Sequence, residues 1–483
     1  MERDDAQNSL WGPDSKYITV MEVLNMLGKI AQTAINEKSG ELIQLATKIW
    51  ENPEIAYQEV KASTWTAEML EKEGFTVEKG YAGVPTALRA TWGSGKPVIG
   101  FLGEYDALPD LSQKVSTKKE PVIEGGIGHG CGHNLLGVGH AGAVIGLKKE
   151  MEERNLAGTV VFYGCPAEEL LTGKTFMARE GAFRDLDIVF AWHPSMMNGI
   201  LMGNMVAANS AKFHFKGLTA HAGGDPQNGR SALDAAELMN VGANFLREHV
   251  TDDVRIHYAF TDVHGAPNVV PDKASVWYYV RALSRTTVDD AYERLIKVAK
   301  GAAMMTETDV DIEFLGGCYN TLQNKVLAET VHDTMNEIQF PEWSEEEVKF
   351  AEALNNSEPT YSRMVAAGYV KEGVHLNSAI APLLYMDASG SSDVGDVQHI
   401  APGIFFMTTC YNNGAPNHSW HSTACSGHSL GMKGMLYGAK VMAVSALKAI
   451  EDPSIIEKAK EEFQKAMAGR KYVCPIPEEI PVP

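Results

Sequence analysis

The sequence predicts an α/β protein in two parts: a layered, mainly parallel sheet domain, interrupted by a smaller ferredoxin-like α+β domain. Three observations predict it. Apolar runs of strand length alternate with amphipathic helical segments over residues 41–192, the pattern of a layered α/β sheet. Near Asn209 the order changes to β-α-β-β-α-β, the split βαβ arrangement. Beyond Cys318 the chain returns to long helical segments and one further strand. The expected boundaries are therefore 1–208 and 319–483 for the larger, discontinuous domain and 209–318 for the inserted one. With 483 residues the chain has length for more than one core.

The elements follow in order. Residues 41–50 have helical apolar spacing (Leu42, Leu45, Ala46, Ile49) and stop at Asn52-Pro53. A second helix is expected over 62–72 and a long one over 135–153, with strands at 86–92, 97–102, 159–163 and 188–192. In the inserted part, strands are expected at 211–216, 255–261, 275–282 and 310–314, and helices at 231–249 and 287–305. Helices are then expected over 324–339, 344–354 and 431–450, with a strand over 403–411. No internal repeat is present, and the chain closes on a proline-rich tail from Cys474 to Pro483.

Composition excludes several classes. Hydrophobic residues make up 45% and charged residues 22%, with a formal net charge of −20 and no Lys/Arg-rich tract. Binding to nucleic acid or to an anionic membrane needs a basic surface, so neither is an expected partner. No stretch approaches the roughly 20 apolar residues of a membrane span. The stretch from Met1 to Ser15 lacks the basic start and apolar run of a secretory signal. Six cysteines at 131, 165, 318, 410, 425 and 474 form no CxxC pair, which argues against a disulfide framework. The cytoplasm is the expected compartment.

Four strings carry chemistry. In Gly128-His129-Gly130-Cys131-Gly132-His133-Asn134, a Cys and a His two apart can point into one site, and both are good ligands for Zn²⁺ and related ions. A glycine-rich loop with a buried Cys and a helix-capping Asn explains the same string. Cys165-Pro166-Ala167-Glu168-Glu169 follows a strand, and adjacent carboxylates there can divide metal binding from proton transfer; a solvated acidic turn is the alternative. Trp192-His193-Pro194 ends another strand. Asn417-His418-Ser419 lies far along the chain, with His421 and His428 as competing histidines.

Placement strengthens these signals, because Asp106, Glu168-Glu169 and His193 all follow strand-length runs that can share one sheet, beyond whose ends ligands collect. A Cys, two or three His and a Glu supply enough ligands for two metal ions bridged by water. Thr172-Gly173-Lys174-Thr175 hints at a phosphate loop, but Glu168 occupies the upstream glycine position. No HExxH pair occurs.

On these residues the chain resembles the M20 metallopeptidase family, in its amidohydrolase branch. The resemblance runs nearly end to end. It takes in Asn52-Pro53-Glu54, Glu104-Tyr105-Asp106-Ala107-Leu108, the Cys131/His133 loop, Glu168-Glu169 and Trp192-His193-Pro194. It continues through Gly217 to His221, Pro267-Asn268-Val269-Val270, Ser391-Ser392-Asp393-Val394-Gly395-Asp396 and His418.

The resemblance implies a zinc-peptidase-like catalytic domain with a lid or dimerisation domain inserted in it. It implies two divalent ions, zinc or manganese, on Cys131, His133, Glu169, His193 and His418. Glu168 takes the general-base position and Asp106 that of an acid orienting a ligand. His221 and Asn268 match residues that reach the substrate, often across a dimer interface. Asn268, Arg281 and Asp393 fall at substrate-binding positions, a surface charge on a strand edge being the alternative for Arg281.

The implied reaction is hydrolysis of the amide bond of an N-acyl amino acid, with p-aminobenzoyl-glutamate as the leading substrate. Other N-acyl or β-alanyl-type dipeptides are the alternative, as is a non-catalytic subunit of a related hydrolase. The implied assembly is a homodimer, or a heterodimer with a related subunit. One departure stands out: Asn134 occupies a position where most of the branch has Asp, and Leu135 and Leu136 follow instead of a further His. It leaves the metal set intact and blurs the substrate.

Overall fold

A computed structural model describes residues 27–483, so Met1 to Ser15 and the first residues of the larger domain lie outside the described residues. Ten strands organise the described residues. They are β1 (Thr76–Lys79), β2 (Leu88–Ser94), β3 (Val98–Glu104), β4 (Gly158–Cys165), β5 (Ile188–Ser195), β6 (Ala207–Lys216), β7 (Arg255–Val263), β8 (Lys273–Ala282), β9 (Asp309–Cys318) and β10 (Gly403–Thr409).

Six of them form the sheet of the larger domain, in the order β1-β2-β4-β3-β5-β10. The expectation of a mainly parallel sheet holds for β3, β4, β5 and β10. It fails at the other edge, where β2 is antiparallel to β4 and β1 to β2. The cause is the short link between Ser94 and Val98: so few residues cannot hold the crossover that parallel strands require. The chain instead reverses, and β4 later inserts between the two strands.

Alternate residues of the central strands feed two different cores. Phe101, Phe162, Phe190 and Trp192 point to one face; Leu102, Tyr163, Val189 and Ala191 point to the other. The first face is covered by helix α1 (His133–Arg154), buried along most of its length. Its glycines permit this depth. A Cβ on Gly137 would lie 2.5 Å from the carbonyl oxygen of Glu104 at the end of β3, so only glycine lets the helix start this close to the strand ends.

The second sheet has the antiparallel order β7-β8-β6-β9. Helices α2 (Ala232–Leu246) and α3 (Arg285–Thr306) pack on it around Phe213, Phe215, Val276, Tyr278 and Leu295. The β-α-β-β-α-β order is the one read from the sequence. The sheet runs from Ala207 to Cys318. In the larger domain, helices α4 (Ser429–Glu451) and α5 (Pro453–Met467) complete the C-terminal layer. Among the described residues no helix is long and apolar enough to cross a membrane, and all six cysteines are free.

Candidate metal centre and active site

Neighbouring strand ends deliver the site. β3 stops at Glu104 just before Asp106, β4 leads into Glu168 and Glu169, and β5 carries His193. Ala167 and Leu171 have left-handed φ values of 55° and 58° and bracket a single 3-10 turn, Glu168–Leu170. That turn aims two adjacent carboxylates at different partners. Glu168 Oε2 lies 3.9 Å from His133 Nε2, whereas Glu169 Oε2 lies 3.6 Å from His418 Nε2. His418 itself sits at φ 51°, an uncommon conformation for a non-glycine residue and a frequent one at functional sites.

Cys131 and His133 enter from the loop that starts α1. Gly132 between them has φ 72°, and a Cβ there would meet the Tyr411 hydroxyl at 2.2 Å. Cys131 Sγ lies 3.3 Å from His193 Nε2. The His193 Nδ1–H donates to the Pro194 carbonyl at 2.7 Å, which leaves Nε2 as the free ligand atom. His133 Nδ1–H donates to Asp106 Oδ1 at 2.9 Å, and the other Asp106 oxygen accepts the Glu169 backbone N–H at 2.9 Å. Asp106 therefore orients two candidate ligands at once.

The donor set fits a pair of divalent ions. Ligand atoms of Cys131, His133 and His193 lie within 4.8 Å of one another, and so do those of Cys131, Glu169 and His418. His133 Nε2 and Glu169 Oε1 are buried with no hydrogen-bond partner, an arrangement costly unless a ligand completes it. Thiolate, imidazole and carboxylate together suit zinc, and the carboxylate also admits manganese.

Electrostatics agree with an anion-rich centre. Burial lifts Glu168 well above the ordinary carboxylate range, and the charges of Glu104 and Glu169 add to it. Burial pushes Glu169 up to about 7. It lowers His193 to about 4, assisted by His133, and it pushes the Cys131 thiol up.

One expected substrate residue is not where the sequence placed it. Asp393 is fully buried; one oxygen bonds Lys174 Nζ and the other accepts the Lys174 backbone N–H at 2.8 Å. Both oxygens are committed to a buried lysine, so Asp393 has none to offer a substrate. Lys174 also reaches Glu104 at 2.6 Å, and Glu104 Oε2 is 3.4 Å from His133 Nε2. The sequence alone suggests no role for Glu104 or Lys174. Their signals lie in Glu104-Tyr105-Asp106 and in the Gly173-Lys174-Thr175 string, which fails as a phosphate loop.

The remaining residues separate clearly. The candidate ligands and Glu168 line a pocket of about 380 Å³ together with Arg281, whereas His133 lies behind its wall. Arg281 is half-buried on β8, an inner strand of its sheet, so it is not an edge charge. His221 and Asn268 lie on neighbouring exposed loops of the inserted domain, where the Ala222 N–H donates to the Asn268 carbonyl at 3.0 Å. Neither lines the pocket of its own chain. His421 bonds Ser357 Oγ at 2.8 Å, and His428 caps α4, which leaves His418 as the histidine facing the centre. Asn134 ties the carbonyls of Ala46 and Ser426 together, at 3.2 and 3.0 Å.

Donors gathered at parallel strand ends, beneath an inserted α+β domain, define the architecture of a two-domain metallopeptidase. Residues 207–304 match the M20 peptidase dimerisation domain. Over 465 residues the chain is 38% identical to the B-type chain of the p-aminobenzoyl-glutamate hydrolase of Escherichia coli (strain K12), covering 92% of this chain and 97% of that protein. It belongs to the M20 metallopeptidase family and is a hydrolase.

The Xaa-Arg dipeptidase of Mus musculus is 29% identical over 460 residues, 91% of this chain and 93% of that one. A solved structure from Bacillus subtilis, the YXEP protein, described as a dinuclear metal binding peptidase, shares the fold. It has a TM-score of 0.56 and 18% identity, covering 86% of this chain and 99% of that one.

Proposed function

We propose that this chain hydrolyses the amide bond of an N-acyl amino acid, with p-aminobenzoyl-glutamate as first substrate, releasing p-aminobenzoate and glutamate. One observation carries the reading: Cys131, Glu169, His193 and His418 line a single pocket with Glu168 and Arg281, and His133 groups with Cys131 and His193 behind it. Two divalent ions, zinc or manganese, would be held by Cys131, His133, Glu169, His193 and His418. When bound, such ions acidify water and polarise a carbonyl. Glu168 takes the proton of the attacking water and later gives it to the leaving nitrogen. Asp106 keeps the His133 ring and the Glu169 backbone in register throughout.

The pocket walls favour an aromatic acyl group. Beside the candidate metal ligands they present Leu171, Leu201, Met205, Tyr279, Phe405 and Met407. No Asp or Glu lines the pocket except Glu168 and Glu169, so a cationic aminoacyl group finds no counter-ion. Arg281 supplies the cation for the glutamate carboxylate, with the planar fork that such a group matches. This combination supports an N-aroyl amino acid over a β-alanyl dipeptide. His221 and Asn268 serve the site of a second chain, a copy of this one or a related subunit.

The test is a release assay on the purified chain, stripped of metal and reloaded with Zn²⁺ or Mn²⁺. It offers p-aminobenzoyl-glutamate beside β-alanyl dipeptides and other N-acyl amino acids. Metal-dependent glutamate release, lost in Glu168→Ala with metal still bound, is expected. A preference for β-alanyl dipeptides would overturn the acyl assignment. A fully loaded chain that cuts nothing would point to a non-catalytic subunit.

A further inference from the structure

We infer that a second pocket, on the C-terminal side of the larger domain, binds a small multivalent anion with an apolar body, of the aryl or alkyl phosphate class. The pocket has a volume of about 520 Å³ and shares no lining residue with the active-site pocket. Arg184, Arg470 and Lys471 line it, and no carboxylate does. The whole chain has 62 acidic and 42 basic residues, so an all-cationic lining reverses its general balance.

The three cations are also spare. Nearby Arg89, Arg179 and Lys460 are each paired with a carboxylate. None of Arg184, Arg470 and Lys471 has an ion-pair partner among the described residues. Arg470 gives Nε–H to the Met467 carbonyl at 3.1 Å and one Nη2–H to the Ala466 carbonyl at 2.8 Å. Those bonds offset the negative end of α5 and fix the guanidinium at the rim. Its other N–H groups have no partner there, and Lys471 and Arg184 are exposed. Three like charges gathered without a counter-ion repel one another, and a multivalent anion relieves that repulsion.

The floor is of a different kind. It is built from Ile400, Phe463, Met467 and the Tyr472 ring. The Tyr472 hydroxyl donates to Asp396 Oδ1 at 2.8 Å, which turns the ring rather than the hydroxyl toward the pocket region. Tyr319 packs against both rings at a tilt, 5.1 Å from Tyr472 and 4.5 Å from His399 between ring centroids. The His399 Nδ1–H is held by the Gly395 carbonyl at 2.9 Å. A fixed apolar floor below a rim of free cations suits a ligand whose charge sits at one end and whose body is apolar. Arginine favours phosphate for its planar, bidentate geometry.

Isothermal titration of the metal-loaded full chain tests this, using phenyl phosphate and inorganic phosphate at fixed ionic strength. The wild type is compared with Arg184→Glu/Lys471→Glu and with the milder Arg184→Gln/Lys471→Gln. Both pairs lie on the surface, outside the catalytic pocket, so metal content and hydrolytic rate are expected to stay at wild-type values. The expected result is a phenyl phosphate site in the wild type that weakens at least about tenfold in the charge-reversed variant and less in the neutral one. Identical isotherms in all three proteins would overturn the site, because the anion would then be reporting the metal centre. Equal affinity for inorganic phosphate and phenyl phosphate would overturn the apolar half of the assignment.

Discussion

Replacing Lys174 with Met removes one charge while keeping most of the side-chain volume, and the structure sets the size of the effect. Lys174 is fully buried between Glu104 and Asp393, themselves 3% and 0% exposed. Without the lysine, Asp393 is left with no cation and Glu104 keeps only His133, 3.4 Å away. Removing one partner of a buried ion group costs about 3–5 kcal/mol. The larger domain has about 345 described residues, and at roughly 2.1 cal/mol/K each its unfolding entropy is about 0.7 kcal/mol/K. The thermal midpoint of the metal-loaded protein is therefore expected to fall by about 4–7 °C.

Scanning calorimetry at two scan rates measures this and exposes any kinetic contribution. A second variant separates charge from packing. Adding Asp393→Asn to Lys174→Met neutralises one orphaned carboxylate, so the double variant is expected to be more stable than Lys174→Met alone. The reasoning is refuted if Lys174→Met melts within about 1 °C of the wild type, or if the second substitution recovers nothing.

Three further outcomes are expected. Asp106→Asn weakens the hold on His133 and on the Glu169 backbone together, and metal affinity is expected to fall about 10–100-fold in a competition titration. Mixing inactive Glu168→Ala and His221→Ala chains tests whether His221 serves a second chain. Random exchange in a symmetric dimer restores about a quarter of wild-type activity, and no recovery would place His221 outside the shared site. Asp187 is held below the ordinary aspartate range: burial works against its charge, but Lys460, the Val98 N–H and Lys96 outweigh it. A depressed carboxylate stabilises the fold above its unfolded pKa and loses that contribution as pH falls through the folded value. Melting temperatures of wild type and Asp187→Asn should thus differ at neutral pH and converge below about pH 4.

The periodic parts of the fold were legible in the sequence. Apolar runs located the central strands because both faces of β3, β4 and β5 are buried, and α1 and α4 were read as long helical segments, α4 from its small residues. Lines of polar residues hid other elements. β1, with its sequence Thr76–Lys79, is a short edge strand with mostly exposed residues, so no apolar pattern marks it. The charge-rich helix α5 was equally silent. The site divides in the same way. Cys131, His133, Glu168, Glu169 and His193 were readable because each follows a strand or sits in a distinctive loop. The burial of Asp393 and Lys174 depends on two segments 219 residues apart, a relation no local string contains.

That long-range pairing also accounts for the division of labour among the acidic groups. Glu104, Asp106, Glu168, Glu169 and Asp393 gather around the centre, with Lys174 as their fully buried lysine. Lys174 serves Glu104 and Asp393, and His133 serves Asp106. His133 is held well above the ordinary imidazole range, because Cys131 and Asp106 outweigh the burial that opposes its charge. Glu168, Glu169 and the Cys131 thiol are left facing the pocket without a lysine or arginine in contact. Uncompensated buried anions are expensive, so these three are the groups whose charge the fold leaves for a bound cation or a transferred proton to satisfy. Adjacent carboxylates in the sequence, and an acidic string such as Asp393 to Asp396, look equally available until their neutralising partners are known. The partner of each carboxylate, rather than its position in a motif, decides whether it supports the site or acts in it.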